Sequence, residues 1–108
     1  MIDSIPEKLL IKAQNLQCIG SHELAWEYNT VPEVLQFLND NNYVILGGDV
    51  YKVDECGQIF STGDNWYFIN NCITTDVSES NRTAMEYIEY YHKKNGAFFY
   101  YSMVCVQV

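Results

Sequence analysis

The chain reads as an α+β domain: an antiparallel sheet of four to five strands, its C-terminal strand central, packed with about three helices. Three observations carry that reading. Two segments open with a hydroxyl residue, then Pro and Glu. The middle third alternates β-forming residues with turn residues. The last twelve residues are apolar on both alternating faces. At 108 residues the sequence is one domain, 1–108, long enough to bury a core without staples.

Ser4-Ile5-Pro6-Glu7 and Thr30-Val31-Pro32-Glu33 each have the form of a capping box with Pro in the first turn, so each should start a helix. The first carries Leu9, Leu10, Ala13 and Leu16 at helical spacing, the second Val34, Leu35, Phe37 and Leu38. Gly20 to Asn29, between them, reads as a short helix or an irregular connector. Asn39 to Asn42 supplies turn residues that end the second helix.

Tyr43 to Leu46 reads as a short strand broken by Gly47-Gly48. Asp49 to Val53, the turn Asp54-Glu55-Cys56-Gly57 and Gln58 to Ser61 form a hairpin, and Thr62-Gly63-Asp64 turns again into Asn65 to Ile69. After a polar loop from Asn70 to Glu79, Ser78 or Ser80 caps a helix that carries Ala84, Tyr87, Ile88 and Tyr91 on one face. Lys93 and Lys94 suit the negative end of its dipole, and Asn95-Gly96 stops it. Ala97 to Val108 is then a strand with two apolar faces.

The net charge of −8 argues against nucleic acid and anionic membranes as partners, both being polyanions, and favours a basic one. The charge is concentrated. From Asp40 to Glu79 run Asp40, Asp49, Asp54, Glu55, Asp64, Asp76 and Glu79 against Lys52 alone. Nine Tyr, five Phe and two Trp exceed what a core of this size calls for, and Tyr and Trp suit contact surfaces.

The residues show no chemistry. His22 and His92 belong to no catalytic pattern, and carboxylates such as Asp49 and Asp64 more often cap turns or face water than perform acid–base work. Cys18, Cys56, Cys72 and Cys105 form no CxxC pair; Cys18 with His22 has no matching second pair for zinc, and no calcium-loop spacing joins Asp54 to Asp64. No catalytic residue, metal site or cofactor is therefore expected. The N-terminus lacks a signal-peptide pattern and no apolar run approaches a membrane span, so the expected setting is the cytoplasm, with reduced thiols.

What the residues do suit is binding. Carboxylates at the turns (Asp49, Asp54, Glu55, Asp64), with Glu27 and Asp76 outlying, beside Trp66, Tyr67 and Tyr28 would meet a basic protein surface: charge speeds encounter and buried aromatics hold the complex. The bland alternative is that the acidic turns are solvated loops and that Trp26 and Trp66 belong to the core.

The motifs AWEYN (Ala25 to Asn29), GGDVYK (Gly47 to Lys52), DNWY (Asp64 to Tyr67) and KKNG (Lys93 to Gly96), with the final aromatic strand, resemble the bacterial immunity protein 40 family of polymorphic toxin systems. The likeness runs from about Leu24 to Val106. It implies a cytosolic, non-enzymatic α+β protein that binds and neutralises a cognate toxin, often a nuclease, with Gly47, Gly48, Asp49, Tyr51, Asp64, Trp66 and Tyr67 on the family pattern. The sequence then predicts occlusion of a basic toxin by an acidic, aromatic-rich surface. The rival readings are a small acidic adaptor or an inhibitor of another basic protein, and an enzyme of unrecognised type. A homodimer through exposed tyrosines is compatible with each.

Overall fold

The computed structural model describes residues 2, 4–67 and 76–108. The end of the expected strand beyond Tyr67, most of the polar loop after it, and Cys72 lie outside them. The elements run α1 (Glu7–Lys12), β1 (Gln14–Asn15), a 3-10 turn (Gln17–Ile19), β2 (Leu24–Glu27), α2 (Val31–Asp40), β3 (Tyr43–Val53), β4 (Ile59–Tyr67), α3 (Val77–Asn95), β5 (Phe99–Ser102) and β6 (Val104–Gln107). All pairings are antiparallel, in the order β1-β2-β5-β3-β4, with β6 joined to β3 alone. The α+β class and the three helices are as expected. The sheet gains a two-residue strand before the 3-10 turn and a strand within 20–29, where a helix or connector was expected.

β3 is the axis of the fold. Its first half, Tyr43 to Gly47, pairs with β6, its second half, Val50 to Lys52, with β5, and β4 lies along the other side. The expectation of a central C-terminal strand is met by β5, which sits between β2 and β3. In β6, Val104 and Val106 are solvent-exposed instead: alternation turns them away from the helices, whereas Met103 and Cys105 point into the core.

All three helices pack on one sheet face. Leu9 of α1, Val31, Val34, Leu35 and Leu38 of α2, and Ala84, Ile88 and Tyr91 of α3 share a core with Trp26, Ile45, Val50, Trp66, Tyr101, Met103 and Cys105. In α2 and α3 the helical spacing selected buried positions, Val34, Leu35, Leu38, Ala84, Ile88 and Tyr91, with Phe37 and Tyr87 partly buried. In α1 it held only for Leu9, since Leu10 is exposed and the helix ends at Lys12, short of Ala13 and Leu16. Trp26, 1 % exposed, is held at both ends: its ring lies in the core and its Nε1–H donates to the Leu9 carbonyl at 2.8 Å, tying α1 to the sheet. A smaller cluster of Leu16, Ala25, Tyr51 and Ile59 lies on the opposite face.

Several local expectations are corrected. Neither hydroxyl caps its helix. Ser4 adopts φ 57 and α1 begins after Pro6. Thr30 already has helical angles, and the turn before α2 uses the free amides: Thr30 N–H donates to Glu27 O at 3.0 Å and Val31 N–H to Tyr28 O at 3.2 Å. The cap of α3 is Asp76, whose Oδ1 accepts from Glu79 N–H at 3.1 Å; a carboxylate there also suits the helix dipole. Ser80 is spent elsewhere. Fully buried, its hydroxyl accepts from Ile45 N–H at 3.0 Å and donates to the Val77 carbonyl at 2.9 Å.

Gly47-Gly48 does not break the strand. β3 runs through it, with register shifts between Ile45 and Gly47 and between Asp49 and Tyr51. Thr62-Gly63-Asp64 is likewise a bulge inside β4 and not a turn. Val50 alone faces those three residues, Gly63 takes φ 85, and the Thr62 hydroxyl donates to the Val50 carbonyl at 2.9 Å. The hairpin at Asp54–Gly57 forms as expected, with Asp54 Oδ1 accepting from Cys56 and Gln58 N–H, each at 2.9 Å.

Candidate functional site

The motifs GGD and NWY meet across β3 and β4, where Gly47 pairs with Tyr67, Gly48 with Trp66 and Asp49 with Asn65. The pairing explains the glycines. A Cβ on Gly48 would collide with the Ser102 carbonyl on β5 and stand 2.7 Å from Trp66 Cζ2 on β4; one on Gly47 would stand 2.9 Å from Tyr67 Cα. The Trp66 indole lies over Gly48, 8 % exposed, and stacks on Tyr87 of α3 with ring centroids 5.0 Å apart. Both tryptophans are thus core residues.

Alternation along β4 then divides its side chains. Asp64 and Trp66 face the helices, and the Tyr91 hydroxyl donates to Asp64 Oδ2 at 2.8 Å. Asn65 and Tyr67 face away. Register puts Asp49 beside Asn65, and Leu46 and Val104 complete a shallow groove of about 250 Å³ on the helix-free face. Tyr67 is 63 % exposed there, with Val104 and Val106 at 38 % and 45 % along β6.

The nine residues singled out from the sequence are not one patch. Asp49 and Tyr67 share the groove, with Trp66 lining it while its ring is buried behind. Asp64 binds Tyr91 on the helix side. Asp54 and Glu55 sit in the hairpin turn, Asp54 occupied with two backbone amides. Glu27 is exposed at the end of β2, and Tyr28 stacks on His92 with centroids 3.8 Å apart. Asp76 is the α3 cap.

Sequence reasoning missed Leu46, Asn65, Val104 and Val106, which strand register and alternation bring together on the face away from the helices, a tertiary fact. It also missed Glu23. This half-buried carboxyl is pushed up by desolvation and by the charge of Asp49, which places the two acids in one field. Glu23 lines a second, deeper cleft of about 570 Å³ between the N-terminal segment and β6, with Ile5, Leu10, Trp26, Met103 and Cys105 among its walls. Val104 borders both depressions. Burial pushes the Cys105 thiol up to about 12, so it behaves there as a small apolar residue.

Among the described residues neither histidine has a carboxylate within hydrogen-bonding or ion-pairing reach, so the pairing that an acid–base site needs is not formed there. No group of three or more His, Cys, Asp or Glu among them could hold a metal ion. Cys18, Cys56 and Cys105 carry free thiols. No helix among the described residues is long and apolar enough to cross a membrane.

No curated protein and no solved structure matches the chain. One family model does, that of immunity protein 40, and it matches residues 15–105. The match takes in β2, α2, β3, β4, α3 and β5, with the GGD and NWY strands at its centre, and leaves α1 outside. The chain belongs to the immunity protein 40 family.

Proposed function

We propose that the chain neutralises a cognate toxin by binding it through the helix-free face of the sheet, where Asp49, Asn65 and Tyr67 meet Leu46, Val104 and Val106. One observation supports this most: an exposed aromatic and two exposed valines lie beside a carboxylate on a face that no helix among the described residues covers. A contact centre of this composition, rimmed by acid, fits a basic partner, and the net charge of −8 would draw one in. A nuclease-type toxin domain, basic because it holds nucleic acid, is the partner class that fits best, and occlusion by charge mimicry the mode. The setting is the cytoplasm.

The test is co-expression of the chain with the toxin domain encoded beside it, scored for growth rescue and co-purification. Tyr67→Ala should raise the dissociation rate about tenfold or more, as loss of a central aromatic does. Asp49→Lys should slow association and flatten its salt dependence. Glu55→Lys tests long-range charge without touching the turn, whereas an Asp54 variant would also lose the two amide bonds to its Oδ1. If Tyr67→Ala and Asp49→Lys both fold, protect and co-purify like wild type, the helix-free face is not the binding surface.

A further inference from the structure

We propose that an extended segment of the partner adds as a further strand to the outer edge of β6, pairing with the main chain of Cys105 and Gln107 and setting an apolar side chain into the cleft beside them. This rests on the toxin-binding reading above and extends it from the groove to the neighbouring edge, since Val104 borders both.

The register fixes which groups are free. Val108 N–H donates to Asn42 O at 2.9 Å, so the bonded pairs between β6 and β3 fall at Val108 and Val106, and Cys105 and Gln107 turn their N–H and C=O to the other side. Ile45, opposite Cys105, agrees: its N–H goes to Ser80 Oγ and not across to β6. Among the described residues β6 pairs with β3 alone, so those outward groups have no main-chain partner there. The cleft of about 570 Å³ lies along the same edge, and Cys105, which lines it, is only 8 % exposed.

An unpaired amide and carbonyl at so enclosed a position call for a hydrogen-bonding occupant, and the apolar walls Ile5, Leu10 and Trp26 call for an apolar one. An extended polypeptide supplies both: its main chain pairs with the edge, and its side chains alternate between the faces. The residue opposite Cys105 shares its direction, into the cleft, and should be apolar. Its neighbours emerge beside Val104 and Val106, continuous with the groove. Selection is by the main chain, so the charged lining groups, His22 and Glu23, do not set the sign of the occupant.

The other edges are guarded and this one is not. β4 is interrupted by the bulge at Gly63 and β1 is two residues long, whereas Val104-Cys105-Val106-Gln107 carries neither charge nor proline. A second copy pairing there would bring together two chains of net charge −8, which repel.

Amide hydrogen exchange of the labelled chain, free and bound to the cognate toxin domain, tests this. In the free chain Val106 should be protected and Gln107, exposed and unbonded, should not; on binding, Gln107 and Cys105 should each slow at least tenfold. If the toxin binds and neither amide slows, or if both are already as slow as Val106 in the free monomer, the assignment is overturned. Slowing that grows with chain concentration in the absence of toxin names a second copy as the occupant and overturns it too.

The matching variant is Gln107→Pro. At an outward position proline removes no bond within the sheet, yet it takes away a donor and blocks an incoming strand. With native shifts elsewhere it should bind the toxin about tenfold or more weakly, while Gln107→Ala, which loses only the Nε2 bond to Asn41 O, should bind like wild type. If Gln107→Pro binds like wild type while Tyr67→Ala does not, the strand inference falls and the groove reading stands. The reverse pattern drops the groove and keeps the strand. If wild type itself fails to bind, both fall.

Discussion

Gly48→Ala is the substitution whose outcome the structure constrains most tightly. The added methyl would meet two neighbours at once: the Ser102 carbonyl on β5, and the Trp66 indole on β4, with Cζ2 at 2.7 Å. Real Cβ contacts essentially never fall below 3.0 Å, so one neighbour must move. The indole is pinned by its stack on Tyr87, and the carbonyl belongs to a strand paired on both sides. Overpacking of a well-filled site costs about 1–3 kcal/mol. With backbone on one side and a buried tryptophan on the other, we expect the top of that range, about 3 kcal/mol.

A chain of this size is stable by about 5–15 kcal/mol, so the loss is a large share of the total. It should lower the urea midpoint by about 2 M at an m-value near 1.5 kcal/mol/M, with m unchanged, and Tm by about 12–15 °C. Gly63→Ala is the contrast. Its Cβ meets nothing within 4 Å, but its φ of 85 costs an alanine about 1 kcal/mol. Relieving only the indole clash, in Gly48→Ala with Trp66→Leu, should not restore stability, because the carbonyl remains. A Gly48→Ala midpoint within 0.5 M of wild type (about 0.75 kcal/mol at that m-value), or full rescue by the double variant, would refute this account of the motif.

Three further outcomes follow from single groups. Tyr91→Phe removes the donor to Asp64 Oδ2 and should cost about 1–2 kcal/mol in urea unfolding, with Asp64→Ala showing a similar loss and the double variant less than their sum. Alkaline unfolding should begin near pH 9. Burial raises the Cys105 thiol to about 12 and raises the Tyr87, Tyr91 and Tyr101 hydroxyls, so the folded state keeps protons that the unfolded chain releases. That stability is complete below the unfolded-state values and is lost as pH rises above them; Cys105→Val should make the decline between pH 9 and 11 shallower in pH-stepped urea titrations. Phe98 holds φ 79 and is 81 % exposed, so Phe98→Gly should raise stability by up to about 1 kcal/mol in the same assay.

The helices were legible because their buried positions obey a helical period whatever starts them: Val34, Leu35 and Leu38, or Ala84, Ile88 and Tyr91, remain on one face even though Thr30 and Ser78 cap nothing. The strands were legible by composition but not by extent. Gly47-Gly48 and Thr62-Gly63-Asp64 look like breaks to local reasoning because glycine marks turns and bulges alike, and only the partner strand distinguishes the two. The binding candidates were harder still. Whether Asp64 faces solvent or Tyr91 depends on the bulge that sets the phase of β4, and the prominence of Glu23 depends on the cleft that the N-terminal segment and β6 form around it. Neither is a property of neighbouring residues.

The pairing of β2 with β5 joins residues 25–27 to 100–102, segments far apart in the sequence. During synthesis β2 has no neighbour on that side until residues 100–102 have left the ribosome. At about 5–20 residues per second, that wait lasts several seconds. Truncation before Phe99 would remove the partner of β2, the inner neighbour of β3 and a wall of the core in one step. Folding is therefore expected to wait on β5, and fragments that end before Phe99 would not complete the sheet.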